Sequence, residues 1–255
     1  MIPLIIHQIW FQGINNIIQP YKNCFINTIK FLNNSDNNKK SVYWEHYFWD
    51  QKRIEDFILK EYPNYWDIYN KCNILVQKLD VARYIILYHY GGCYMDMDME
   101  ILKDFSDLFD ENDDLVFSLT RQLIYNNGIL FSSKNNKFWI DFLKDCDKKI
   151  NLLKFDNMLN VQFSTGPINF TSFINKNKKN YKFKSLPFKY LEPCDTKYNR
   201  FITNEAYVIN HYANSWINPF YSFFIKIYSY RNYAFFIIGI IVSYIISNKF
   251  NLKIL

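Results

Sequence analysis

The chain is short of glycine. It has six in 255 residues, against about 7% in ordinary composition. Arginine is also scarce, with five residues. The cysteines number five, and none form a Cys-x-x-Cys pair. An odd count without that spacing argues against a disulfide framework and a zinc site, and it fits a reducing compartment. There is no dense basic block. The net charge of +6 comes from dispersed lysines, so composition does not point to nucleic acid. Charged residues make up 21% and hydrophobic residues 49%, which excludes a disordered chain. The enrichment in Asn, Lys, Ile, Phe and Tyr reads as compositional drift. Glycine, tryptophan and arginine resist that drift and therefore carry more information.

No secretory leader is expected. Met1-Ile2-Pro3 runs straight into "LIIHQIWF", which reads as a buried first strand. One long apolar run exists, "YAFFIIGIIVSYIIS" from Tyr233 to Ser247. With Phe250 and a snorkelling Lys249 it approaches the roughly 20 residues of a spanning helix. The alternative is a buried C-terminal helix, but such a helix would ordinarily show a polar face. The expectation is a main folded domain over 1–220 and a C-terminal segment over 221–255, with a membrane anchor around 233–250.

Strand and helix signals alternate through the first half. Leu4–Trp10 and Val42–Trp49 read as strands, and Tyr21–Leu32 and Gln51–Tyr62 as helices, the latter stopped by Pro63. Asn33 to Lys40 reads as a loop. Leu75, Leu79, Ala82 and Ile86 fall at helical spacing, so Val76–Tyr90 is predicted to be a helix ended by Gly91-Gly92 as a left-handed cap. Cys93–Met97, Leu115–Leu119 and Gly128–Phe131 read as strands, Lys137–Lys149 as a helix, and Asn175 to Lys184 as a charged loop. This order predicts an α/β fold with a mostly parallel sheet. Ligands in such folds sit at the carboxyl ends of strands, where Trp10, Asp50, Asp96 and Asp98 are placed.

The chemistry concentrates in "HYGGCYMDMDMEIL". An Asp-x-Asp pair alone is weak, since Asp98/Glu100, Glu111/Asp113 and Asp145/Asp147 share the spacing. On a strand, however, Asp96 and Asp98 would share a face between large apolar neighbours. Carboxylates there need a cation, and a hard one such as Mg²⁺ or Mn²⁺ suits oxygen ligands. Upstream, Asp80 and Arg83 stand at i and i+3 on an otherwise apolar helix. The bland alternative is a surface salt pair. Five of the six glycines fall in "WFQG", "YGG", "NNGIL" and "STGP", where tight turns or close approach to a ligand would retain them.

"IPLIIHQIWFQG", "KLDVARYIILYHYGGCYMDMDMEIL", "STGP" and "VINHYANSW", in that order, resemble glycosyltransferase family 32 over residues 2 to 217. That family includes fungal outer-chain α-mannosyltransferases, catalytic subunits that mannosylate inositol phosphoceramide, and bacterial capsular sugar transferases. The glucosylating clostridial toxins are a more distant likeness. The resemblance implies a GT-A fold, meaning a Rossmann-like, mostly parallel sheet flanked by helices. It also implies a nucleotide-sugar donor, a divalent metal (Mn²⁺ or Mg²⁺) and retention of anomeric configuration.

Carried onto this sequence, it assigns Trp10 to the nucleotide base and Asp80 and Arg83 to the donor sugar. Asp96 goes to the ribose or metal and Asp98 to the metal. Asn127, or its neighbour Asn126, goes to the sugar or acceptor side. Gly166 and Pro167 would shape the acceptor pocket through backbone. His211 would be a third metal ligand, and Ser215 and Trp216 would meet the diphosphate. Asn214 stands where the family often has glycine, which bears on the phosphate loop. His7 and His89 read as structural. The catalytic set is Asp80, Arg83, Asp96 and Asp98.

The implied reaction moves a hexose from GDP-mannose or a UDP-hexose to a glycan or glycolipid hydroxyl. No acid is placed as a covalent nucleophile, so same-face attack is expected, unlike the carboxylate pair of a retaining glycosidase. Two alternatives stand beside it. One is a noncatalytic sugar-nucleotide binder or partner subunit. The other, a two-metal phosphoesterase, would need more ligands than the sequence groups together. The expected location is membrane-associated, single-pass through the C-terminal helix, with the catalytic domain facing the cytosol.

Overall fold

The structure, a computed structural model, describes residues 1–34, 43–152, 157–196, 199–200 and 202–213. The strands in chain order are β1 (Ile5–Ile9), β2 (Glu45–Trp49), β3 (Gly92–Met95), β4 (Met99–Ile101), β5 (Leu115–Leu119), β6 (Tyr125–Ser132), β7 (Lys184–Leu186), β8 (Cys194–Thr196), β9 (Asn199–Arg200) and β10 (Val208–Asn210). The helices are α1 (Tyr21–Asn34), α2 (Gln51–Glu61), α3 (Trp66–Lys71), α4 (Leu75–Tyr90), α5 (Lys137–Asp147), α6 (Asn157–Ser164), α7 (Pro167–Asn177) and α8 (Phe188–Leu191). Met1–Ala213 form one compact unit.

Six strands make one sheet in the order β2-β1-β3-β6-β5-β7. β1 pairs in parallel with β2 and β3, and β5 in parallel with β7, while β6 runs antiparallel to both β3 and β5. The sheet is therefore mixed, with β6 alone running against the rest. Alternation divides its side chains between two apolar layers. Tyr94, Leu130, Leu115 and Phe117 enter a core shared with Tyr84, Trp139, Phe142 and Phe170. Cys93, Met95, Ile129, Phe131 and Val116 face the other way, beside Trp44, Phe105 and Leu108. Both faces are thus covered, as the α/β reading expects. Trp139 and Phe170 stack at 6.2 Å with 2° between their planes, so truncating Trp139 should cost about 3–5 kcal/mol.

α4 is apolar almost all round. Val81, Ala82, Tyr84, Ile85, Ile86 and Leu87 are all buried. Gly91 stops it with φ +67° and ψ −152°, a conformation essentially open only to glycine and different from the left-handed cap expected. Gly92 follows at φ +87°, and a Cβ there would lie 2.6 Å from the Ile5 carbonyl oxygen. The two glycines let the chain turn back and pair β3 closely against β1.

Three expectations change here. β3 ends at Met95, so Asp96–Asp98 lie in a turn with Met99 N–H donating to the Asp96 carbonyl at 3.3 Å. The alternation of Met with Tyr and Asp mimics a strand, but the β3–β6 pairing ends with Met95 opposite Ile129. The segment expected as a loop at 175–184 is helical to Asn177, and Lys184 opens β7. The single-pass, membrane-associated reading is also corrected. Among the described residues no helix is long and apolar enough to cross a membrane. The run at 233–250, like residues 35–40 of the expected loop, lies outside the described residues.

Candidate active site

The carboxyl ends of the parallel strands β1, β2 and β3 fall on one edge of the sheet, and each is followed by a residue singled out above: Trp10, Asp50 and Asp96. Because β6 is antiparallel, its beginning reaches the same edge. Asp96 N–H donates to the Gly128 carbonyl at 2.8 Å, which seats Asn126, Asn127 and Gly128 beside the aspartate turn. Gly128 is needed for this approach, since a Cβ there would lie 2.6 Å from Asp96 Oδ2.

The inner wall is a buried polar chain. Asp80 and Arg83 are 2% and 4% exposed, which rules out the surface-pair alternative. Arg83 Nη2 lies 3.1 Å from Asp80 Oδ1, and Nη1 lies 3.3 Å from Asp96 Oδ1. Nη1 also donates to the Asn127 carbonyl at 2.6 Å, and the guanidinium lies over the Tyr94 ring at 4.3 Å. Tyr94 Oη donates to Asp96 Oδ1 at 2.7 Å. Asp80 accepts from Asn127 Nδ2 at 3.1 Å and from Thr165 Oγ1 at 2.7 Å. Tyr84 Oη accepts from Asn127 and donates to the Thr165 carbonyl. Burial raises Asp80 to about 6, with Arg83 and these hydrogen bonds pulling it back. Thr165 and Gly166 precede Pro167, the first residue of α7, so the "STGP" stretch borders the same network.

The outer wall is a short ribbon. β4 leaves the aspartate turn and pairs antiparallel with β10, Met99 opposite Asn210. That pairing delivers residues 211–213 onto Asp98. His211 N–H donates to the Asp98 carbonyl at 3.0 Å and Ala213 N–H to Asp98 Oδ2 at 2.9 Å. The His211 ring pairs with Glu100 Oε2 at 2.8 Å. Burial raises Asp98 to about 6, and the neighbouring Asp96 charge adds to it. Glu192, just after α8, is fully buried and raised to about 7 by burial, while Tyr212, Asn210 and Asn126 oppose the shift by hydrogen bonding.

Trp10 follows β1, half-buried. Its Nε1 donates to the Asn16 carbonyl, and its ring lies 4.7 Å from Tyr21. Met97, between the two aspartates, packs in the same small apolar cluster with Ile17 and Tyr21. An open recess of about 340 Å³ lies at the ends of β1 and β2, lined by Phe11, Gln12, Gly13, Asp50, Gln51 and Glu55 among others. His7 and His89 lie in aromatic packing. His7 Nε2 bonds the Gly91 carbonyl, and Tyr62 Oη bonds His89 Nδ1. Ser215 and Trp216 lie outside the described residues.

Among the described residues no group of three or more His, Cys, Asp or Glu side chains could hold a metal ion. Asp96 and Asp98 nevertheless repel one another electrostatically, and among the described residues only Asp96 has an arginine against it. Two hard oxygen ligands of this kind fit a cation whose remaining ligands come from a phosphate. Tyr84, Tyr94, Thr165 and Glu192 join the site without having been given roles from the sequence. Of these, Tyr84 was in reach, since it lies four residues after Asp80 on the same helix face.

Residues 22–116 match the model of the glycosyltransferase sugar-binding region containing the DXD motif. An uncharacterized glycosyltransferase of Acanthamoeba polyphaga mimivirus, L373, is 31% identical over 229 residues, covering 85% of this chain and 84% of that protein. The chain belongs to glycosyltransferase family 32. This glycosyltransferase is also 28% identical to inositol phosphoceramide mannosyltransferase 1 of Schizosaccharomyces pombe over 167 residues, 66% of this chain and 49% of that protein. It therefore spans about half the length of that relative. Among solved structures, the PaToxG glycosyltransferase is similar with a TM-score of 0.48 and 18% identity, over 70% of this chain and 71% of that one. The matched DXD region contains Asp80, Arg83, Asp96, Asp98 and Glu100. Asn127, Thr165, Glu192 and His211 join the same cluster from beyond it.

Proposed function

We propose that this chain is a retaining, divalent-metal-dependent glycosyltransferase of GT-A architecture. It moves a hexose from a nucleotide-sugar donor to a glycan or glycolipid hydroxyl. The observation that carries this reading is the chain Asp80–Arg83–Asp96, buried at Asp80 and Arg83 and half-buried at Asp96, ending beside Asp98. The inner wall offers fixed hydrogen-bonding groups for sugar hydroxyls. Asp96 and Asp98, with His211 nearby, would hold Mn²⁺ or Mg²⁺ together with the donor diphosphate. When bound, such a cation neutralises the charge that grows on the leaving phosphate.

Trp10, at the end of β1 beside the open recess, would stack on the base. Asn127 would bound the sugar side, and Gly166 and Pro167 the acceptor side. Ser215 and Trp216 would complete the diphosphate contacts. Asp80 is held by Arg83, Asn127 and Thr165, which supports attack by the acceptor hydroxyl on the face the diphosphate leaves, and not a covalent aspartyl intermediate. Relatives named as mannosyltransferases of inositol phosphoceramide make GDP-mannose the first donor to try.

The test is release of GDP or UDP over a panel of nucleotide sugars with Mn²⁺, repeated with D98N. Turnover of one donor that D98N abolishes supports the reading. Turnover at a near wild-type rate in D98N refutes the metal assignment. Silence on every donor and acceptor favours a noncatalytic sugar-nucleotide binder.

A further inference from the structure

We propose that Glu192 is a positioning residue that holds residues 210–213 over Asp98. Its consequence for donor binding rests on the function proposed above.

Glu192 follows α8 and is fully buried, so it does not touch a substrate. Its two oxygens tie the two walls of the site together. Oε1 accepts from Asn126 Nδ2, and from Asn210 Nδ2 at 3.4 Å; Oε2 accepts from Tyr212 Oη at 2.6 Å. On the β6 side, Asn126 Oδ1 accepts the Gly128 N–H at 2.8 Å, and Gly128 in turn accepts the Asp96 N–H. On the β10 side, Asn210 Oδ1 accepts the Tyr212 N–H at 2.8 Å.

Tyr212 has φ +48°. A bulky residue holds that left-handed backbone only where its surroundings over-determine it. The residues on either side of it are the ones that donate to Asp98, His211 from its backbone and Ala213 from its own. Anchoring the Tyr212 phenol therefore fixes the direction of two N–H groups aimed at Asp98. A carboxylate can accept all three donors. A glutamine can keep the same arrangement, with its oxygen on the two amides and its nitrogen donating to the phenol. An alanine cannot.

The experiment uses the full chain as wild type, E192A, E192Q and Y212F. Four quantities are read: amide exchange at His211 and Ala213 without metal, Mn²⁺ binding alone by calorimetry, KM and kcat for the donor, and the thermal midpoint. Loss of this buried hydrogen bond should speed Ala213 exchange about tenfold in Y212F and at least as much in E192A. Mn²⁺ affinity should fall by a similar factor and donor KM should rise, with kcat much less affected. E192Q should recover most of each loss. Y212F should do this with a midpoint close to wild type, which separates positioning from folding if E192A is poorly folded.

Unchanged Ala213 exchange in Y212F overturns the inference, and so does an E192Q as impaired as E192A. A wild type that neither binds Mn²⁺ nor consumes any donor refutes the proposed function instead. The exchange measurement then still decides the role of Glu192.

Discussion

Arg83 joins two aspartates that are sixteen residues apart in sequence, one on α4 and the other in the turn after β3. One guanidinium nitrogen lies 3.1 Å from Asp80 and the other 3.3 Å from Asp96, with the whole group buried against Tyr94. Its planar fork makes this possible, and a lysine ammonium could serve only one partner well. R83K is therefore expected to behave as a severe variant. Breaking a buried ion pair on one side costs about 3–5 kcal/mol, so R83A should lower stability by that order and R83K by less. Both should reduce donor turnover at least about a hundredfold, through misplacement of Asp96. Urea unfolding alongside donor hydrolysis checks both.

Asp98 behaves differently. Burial and the Asp96 charge raise its carboxyl, so the fold is penalised for ionising it. D98N should abolish metal-dependent turnover yet leave the metal-free thermal midpoint at neutral pH unchanged or higher. A clear drop in that midpoint would mean that Asp98 serves the fold more than the site.

Gly128 gives a test aimed at one atom. Its backbone φ is not in the left-handed region, so alanine is tolerated there conformationally. The new methyl would lie 2.6 Å from Asp96 Oδ2 and 3.0 Å from the Met99 terminal methyl, both side-chain ends that can move. G128A should fold and should lose about tenfold in Mn²⁺ affinity, as expected for a ligand side chain pushed out of place. Titration calorimetry with Mn²⁺ reads this directly.

The pH dependence of stability follows from Glu192. Its carboxyl rises from 4.5 to about 7 on folding, mainly through burial. The folded chain thus holds a proton that the unfolded chain releases, and stability must fall as pH rises through that interval. The contribution is fully present below about pH 4.5 and is lost by about pH 7. E192Q cannot titrate, so its stability should decline less than that of wild type between those limits. Denaturant midpoints of the two proteins across this range measure the difference.

Much of this site was legible in the sequence because its helical half is local. Asp80 and Arg83 share a face of α4 by spacing alone, and the rarity of glycine marked the turn after it. The aspartate turn was misread because Tyr94, Asp96 and Asp98 alternate with Met95, Met97 and Met99, a period of two that a strand would also show. The β4–β10 ribbon joins two three-residue strands more than a hundred residues apart, and neither is long enough to carry a pattern. Glu192 had no local signal at all. It matters through Asn126, Asn210 and Tyr212, which only tertiary packing brings to it. The apolar run near the C-terminus was read from hydropathy alone, and the described fold supplies no membrane-spanning helix to support it.

Met97 sets a mechanical condition on the site. The side chains before and after it face the polar network, while its own thioether is buried with Trp10, Ile17 and Tyr21. Packed interiors transmit displacement instead of absorbing it. A molecule that shifts the Trp10 indole therefore presses on the residue lodged between Asp96 and Asp98. On the donor placement proposed above, the two ends of a bound donor would be sensed by one piece of apolar packing, so a nucleotide of the wrong size at the indole would disturb the aspartates without touching them.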